Sequence, residues 1–386
     1  MPNRADFILR DDVIFLNHGS FGACPRLILE EQRRWIERLE SQPVLYFREL
    51  MHHMRTARQA LSEYLGADAA NLAYVSNSTY GVNVAAHAFG EMLQPGDEIL
   101  TTDHEYGACD RAWKQYAIDK GAVWRRIAIP MPAPSMNELC ELIWSGVNDR
   151  TRLLFISHIT SPTGLRMPVE ELCARARKAG IITVIDGSHV PGHIHLNLSE
   201  LGADFYTGNC HKWMCTPKGS AFMWTSNKYR STLPALVVSW GSDIPTVGDG
   251  MFVDENEFLG TRDHSPFLTV PFALEWMRRS DWEEVQRRSR ALTSATEAQL
   301  AAIDGVVSIR AEGADPMLQL GTVLLPENVN VVEMKNWLYD QRSIEVVVHE
   351  WLGRPMLRFS VHAHTSEADL EALVASVRLY LGTITS

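Results

Sequence analysis

Apolar and polar positions along this chain switch between two periods, and the switches outline its elements. Pro25 can open a helix at its first position, after which Ile28, Leu29, Trp35, Ile36 and Leu39 recur at helical spacing. A second helix carries Met54, Ala57, Leu61 and Leu65 on one face and stops at Gly66. Between them, residues 41–47 read as a proline-interrupted loop followed by Arg48, so that Tyr46, Phe47 and Arg48 sit near a turn. From residue 72 onward, short apolar runs alternate with amphipathic stretches. Strands are predicted over 72–75, 98–102, 123–129, 153–156 and 181–186. The intervening helices are predicted over 79–93, 109–120 and 169–179, with one more opened by the capping box of Ser135 and Glu138. Strands alternating with helices predict an α/β fold with a mostly parallel sheet.

Residues 225–270 lose this rhythm and are dotted with Gly241, Gly248, Gly250 and Gly260, which reads as loop. A long helical region over 271–303 follows. Strands over 306–310, 322–325, 344–348 and 356–361, with helices over 332–341 and 367–381, then predict a smaller α+β unit. The expected organisation is an amino-terminal arm over 1–20, a large domain over 21–270 and a small domain over 271–386.

Bulk properties narrow the class. A chain of 386 residues with 46% hydrophobic residues can bury a large core. A net charge of −11 argues against nucleic-acid or anionic-membrane partners, both of which need clustered cations. The first ten residues have no long apolar run, so no secretory signal is expected, and no stretch of membrane-spanning length is free of charge. Six scattered cysteines without a paired framework suit a reducing cytoplasm.

Candidate chemistry centres on the predicted strand 181–186. Its unbroken apolar, β-branched run suits a parallel strand buried on both faces, and it ends on Asp186. Ligands of open α/β sheets bind at the carboxyl edge of such strands. Lys212 follows 26 residues later (212 − 186), inside His211-Lys212-Trp213. A carboxylate on a strand end and a lysine among apolar neighbours meet the needs of pyridoxal 5'-phosphate (PLP). The lysine bonds the cofactor's aldehyde, and the acid keeps the pyridine nitrogen protonated. A surface lysine and a capping aspartate are the alternative for these two residues alone.

The surrounding motifs add a resemblance. NHGSFG at 17–22, DHEYGA at 103–108, SHITSPTG at 157–164, DGSH at 186–189, LGADFY at 201–206, GNCHKW at 208–213, SWG at 239–241 and GTRD at 260–263 together resemble the class V aminotransferase family of PLP enzymes, and within it the amino-acid epimerases. The resemblance spans nearly the whole chain. It implies the aspartate aminotransferase-like fold (fold type I), a PLP cofactor held by Lys212 and Asp186, and a homodimer with shared active sites.

The resemblance also implies roles, each with a competitor. Asn77, Ser78 and Thr79 lie between a strand and a helix, where free N–H groups and the helix dipole favour a phosphate; a plain N-cap is the alternative. His211 matches a further phosphate contact. Thr261 matches the residue that reaches the neighbouring subunit's phosphate, while Asp263 stands where the family commonly has asparagine. Tyr106, with His104 as second choice, matches the aromatic that stacks on the cofactor ring; a tyrosine packed at a helix start competes. His189 and Ser161 match positions near the cofactor's phenolic oxygen. His189, His193 and His195 also suggest a metal cluster, but no metal motif accompanies them and none is expected. Arg358 matches the clamp for the substrate α-carboxylate, for which a planar guanidinium is suited; an internal salt bridge is the alternative.

The reaction is narrowed by an absence. Cysteine desulfurases of this family carry a persulfide-forming cysteine shortly before the arginine matching Arg358, whereas this sequence has no cysteine after Cys215. Persulfide-type desulfuration is therefore not expected; the overall resemblance implies amino-acid epimerisation through α-proton abstraction by Lys212, with C–S β-elimination as the alternative and a non-catalytic PLP-fold binding protein behind it. Tyr106 and His18 are the candidates for a second base.

Overall fold

A computed structural model describes residues 1–242, 250–311 and 318–384; Gly248 of the glycine-dotted stretch lies outside them. The strands, in chain order, are β1 (Ile14–Phe15), β2 (Leu72–Val75), β3 (Glu98–Thr102), β4 (Val123–Ile127), β5 (Thr151–Ser157), β6 (Ile182–Asp186), β7 (Phe205–Asn209), β8 (Ala221–Thr225), β9 (Val307–Ser308), β10 (Leu320–Leu324), β11 (Ile344–Glu345), β12 (Val347–Trp351) and β13 (Arg354–Ser360).

Seven of them form one sheet in the order β2-β8-β7-β6-β5-β3-β4. Strands β7, β6, β5, β3 and β4 run parallel, and β8 runs antiparallel to both β7 and β2. The apolar run ending at Asp186 is β6, buried from its second residue on and flanked by β5 and β7. Val184 packs into one hydrophobic layer and Ile185 into the other, as expected of a strand covered on both faces. The carboxyl ends of β3, β5, β6 and β7 therefore open on one edge, where α/β sheets hold their ligands.

Two helices that build this edge are placed by local chemistry. The helix Ser78–Gly90 starts where Asn77 accepts the N–H of Tyr80 at 2.9 Å. It lies tight on β7, because a side chain at Gly81 would come within 2.4 Å of Thr207 Oγ1. The helix Gly107–Tyr116 follows β3 and starts immediately after Tyr106.

A four-stranded antiparallel sheet, β12-β13-β10-β9, forms the smaller α+β unit around its own apolar cluster. The amino-terminal segment is tied to it, since β1 pairs in parallel with β11. Gly22, at φ 72°, packs the NHGSFG motif onto the backbone of Lys212; a Cβ there would meet His211 O at 2.1 Å. No helix among the described residues is long and apolar enough to cross a membrane.

Three expectations are corrected. Residues 41–47 are not a loop: Gln42 alone separates the helices Arg26–Ser41 and Pro43–Tyr64, so Tyr46, Phe47 and Arg48 are helical. Pro43 occupies a first-turn position, where its missing N–H has no helical acceptor to lose, and it opens a helix rather than interrupting one. The long helix over 271–303 is two, Val270–Arg279 and Trp282–Ala301, broken where Asp281 adopts a left-handed backbone at φ 51°. The strand over 344–348 is likewise two, β11 and β12, which pair in different sheets.

Candidate active site

A cavity of about 280 Å³ sits at the carboxyl edge of the large sheet. Most of the side chains singled out in the sequence converge on it: Asn77, Thr79, Tyr106, Ser161, Asp186, His189, His211, Lys212 and Arg358 all line it.

Lys212 lies on the loop after β7, half-buried, with Nζ 3.1 Å from His189 Nε2. Burial lowers its pKa to about 8, although the charge of Asp186 works the other way. Such an amine is neutral in a much larger fraction of molecules near neutral pH than an ordinary lysine and is more available as nucleophile and base.

Asp186 ends β6 and is held by three donors. The Ser188 N–H (2.9 Å) and hydroxyl (2.5 Å) both reach Oδ1, and the Cys109 thiol lies 3.5 Å from Oδ2. Burial pushes the Cys109 thiol well above its ordinary range, so it stays a protonated donor. Behind it, Glu105 is buried and bonded to Thr102 Oγ1 at 2.7 Å and to Ser157 Oγ and N–H at 2.6 and 2.9 Å. Burial raises its carboxyl to about 8, so at neutral pH Glu105 holds a proton and adds no second charge beside Asp186.

Arg358, in β13, is almost fully buried. It donates to the Ser161 carbonyl and, at 3.0 Å, to Ser20 Oγ, and its Nε has no partner. Among the described residues no carboxylate pairs with it, and burial lowers its pKa to about 10. The internal salt bridge considered from sequence is therefore absent among those residues. A buried cation with only neutral partners, facing a cavity, is suited to an anion.

The phosphate candidates divide. Asn77 and Thr79 face the cavity, whereas Ser78 is buried behind them, its N–H donated to Asn209 Oδ1 at 2.9 Å and its hydroxyl left without a partner. His211 donates Nδ1–H to the Ser220 carbonyl at 2.9 Å and its pKa is lowered to about 4 by burial, so Nε2 is unprotonated; a phosphate beside it would favour the charged, donating form. Thr261 lies on an exposed turn and does not reach the cavity of its own chain.

Of the two stacking candidates, Tyr106 lines the cavity and is half exposed, while His104 is fully buried with Nδ1 2.9 Å from Thr163 Oγ1. His18 does not face the cavity either. It lies beneath Lys212, with Nε2 3.1 Å from the Lys212 carbonyl and Nδ1 3.2 Å from His364 Nε2. Its ring stacks on His362 at 4.0 Å and 9°, with Cys215 Sγ 3.7 Å from His362 Nε2. Parallel stacked imidazoles cannot both aim a ring lone pair at one ion, so this buried group reads as packing rather than as a ligand set.

A family model described as Aminotransferase class-V matches residues 34–373. The chain belongs to that family. An isopenicillin N epimerase of Amycolatopsis lactamdurans is 32% identical over 374 residues, covering 94% of each chain. An L-cysteine desulfhydrase of Arabidopsis thaliana is 29% identical over 281 residues, covering 68% of this chain and 60% of that protein. Among solved structures, a C-DES mutant with glycine covalently linked to its PLP cofactor superposes with a TM-score of 0.85 at 20% identity, over 98% of this chain and 99% of the other. The fold is that of the PLP-dependent transferases of fold type I, and the cofactor is PLP.

The cavity of this class V member fits that cofactor. It offers a half-buried amine, a carboxylate held ready for a pyridinium, a capped helix terminus and, behind it, the unpartnered hydroxyl of Ser78. Lining residues to which the sequence assigned no role are Ser20, Phe21, Ser157, Ile159, Ser188 and Asn209. All six stand inside motifs already singled out, but which side chain of a loop motif faces inward depends on the turn, and the period of the chain does not encode that.

Proposed function

We propose that this chain inverts the configuration at the α-carbon of an amino acid with a free α-carboxylate, as an epimerase or racemase. The observation that carries this reading is Arg358, a buried cation without an acidic partner among the described residues, on the same cavity as the Lys212 amine. The near full-length similarity to an isopenicillin N epimerase supports it, as does the absence of any cysteine after Cys215.

Bound in the cavity, PLP supplies the electron sink that makes the α-hydrogen acidic. Lys212 holds the cofactor until substrate arrives and then takes the α-proton, since its amine is released where that proton leaves. Arg358 binds the carboxylate through its fork and fixes which bond faces Lys212. Tyr106, on the same cavity, is the group we assign to return a proton from the opposite face. Asp186 would hold the ring nitrogen, His189 and Ser161 the phenolic oxygen, and Asn77, Thr79 and His211 the phosphate, with the Ser78 hydroxyl behind them. The six unpaired cysteines fit a reducing cytoplasm.

C–S β-elimination is the second reading, favoured by the similarity to an L-cysteine desulfhydrase. Screening a panel of amino acids in D2O separates the two. The proposal expects one of them to gain α-deuterium together with its opposite enantiomer; release of pyruvate and ammonia from a cysteine-like substrate, with no enantiomer formed, selects the lyase.

We further propose a homodimer in which Thr261, exposed in its own chain, reaches the partner's phosphate site. Mixed Lys212→Ala and Thr261→Ala subunits should regain about half of wild-type activity per heterodimer, because one of its two sites is intact. Heterodimers that form and stay inactive would refute the shared site.

A further inference from the structure

Trp213 follows Lys212 directly, and its indole is fully buried. Its Nε1–H donates to His189 Nδ1 at 3.3 Å, while His189 Nε2 lies 3.1 Å from Lys212 Nζ. An indole nitrogen is a donor only, so His189 Nδ1 must carry a lone pair. His189 is held neutral by burial and by the nearby cations Lys212 and Arg358, with His193 adding in the same direction. A neutral imidazole has one N–H, and with Nδ1 occupied as an acceptor that hydrogen is on Nε2, aimed at the lysine amine.

The indole has no room to turn away. Its ring lies 4.1 Å from that of His193 and 5.3 Å from that of His18. His193 is itself pinned, with Nδ1 2.9 Å from the His189 carbonyl and Nε2 accepting the Gln319 N–H at 2.8 Å. The loop that delivers the amine thus also delivers, one residue later, the group that dictates which nitrogen of His189 holds the proton.

We propose that Trp213 is a positioning residue that locks His189 as the Nε2–H tautomer, so that His189 can only donate toward Lys212 and toward an oxygen bound beside it. The proposal rests on the reading of the cavity as a PLP site for the use of that donor, but the lock itself is a property of the chain. Its consequence is directional. A neutral amine accepts the Nε2–H, whereas an ammonium would face a donor with nothing to accept its own proton. The lock therefore favours neutral Lys212, in addition to burial and against the charge of Asp186. If Nδ1 were free to take the hydrogen, Nε2 could accept from the ammonium and stabilise it.

Trp213→Phe keeps an aromatic ring in place and removes only the donor. In the full chain stripped of cofactor, competitive acetylation followed by mass spectrometry reads the pKa of Lys212, which burial lowers to about 8. Loss of the lock should raise it by about one, a roughly tenfold loss of neutral amine at fixed pH. In a His189→Gln background the amide can rotate to donate or accept, so adding Trp213→Phe should then change nothing. Nitrogen NMR of 15N-histidine wild-type protein should show His189 Nδ1 without hydrogen on both sides of the Lys212 titration. A protonated Nδ1 in the wild type overturns the proposal without any variant, and so does an unchanged Lys212 pKa in folded Trp213→Phe or an equal shift in the His189→Gln background. None of these readouts uses turnover, so a failure of the epimerase reading leaves them intact.

Discussion

Replacing Lys212 by alanine is expected to abolish α-hydrogen exchange, with a loss of at least ~10³-fold from the acid–base role alone. The amine faces the cavity, burial lowers its pKa to about 8, and among the described residues no other lysine lines that cavity. Borohydride treatment of the yellow wild-type protein should fix the cofactor to the peptide containing Lys212, and the variant should show no such label. A small alkylamine added to the variant should restore part of the exchange, because it enters the space left by the side chain and supplies a neutral base. Label on another lysine, or exchange at wild-type rate in Lys212→Ala, would remove this residue from the chemistry.

The second large effect falls on Arg358. Each hydrogen bond from a guanidinium to a carboxylate contributes on the order of 1.5–3 kcal/mol, so Arg358→Ala should lower kcat/KM by roughly 10²–10⁴-fold. Arg358→Lys keeps the charge and loses the fork, and a loss of about 10–100-fold is expected. Both variants should remain yellow, since the arginine touches Ser161 and Ser20 rather than the amine. That combination, cofactor retained and substrate use lost, distinguishes a carboxylate receptor from a strut. Loss of colour in folded Arg358→Lys would instead make Arg358 part of the cofactor site.

Much of this arrangement was legible in the chain because β6 is an unbroken apolar run. Such a run has one comfortable home, a parallel strand covered on both faces, and that fixes where Asp186 must emerge. Lys212 and Arg358 could be picked out for the same reason: a charge among apolar neighbours needs a purpose. Turn-dependent details were not legible. Pro43 can either break a helix or open one, and only the packing of the helix Pro43–Tyr64 against the core decides which. The stack of His18 on His362 joins residues 344 positions apart (362 − 18), and no local pattern announces it. Tyr106 and His104 stand two apart on a loop, so period alone could not tell which faces the cavity; the buried bond of His104 to Thr163 does.

The central claim is stereoinversion, and it is tested most directly by incubating the substrate found in the amino-acid screen, as a single enantiomer, with wild-type protein in D2O. Chiral chromatography with mass spectrometry then follows both enantiomers over time. The account expects growth of the opposite enantiomer carrying one deuterium at the α-carbon, approach to a mixture of the two, and no keto acid, sulfide or ammonia. Consumption of the substrate to pyruvate and ammonia with no opposite enantiomer at any time would contradict it.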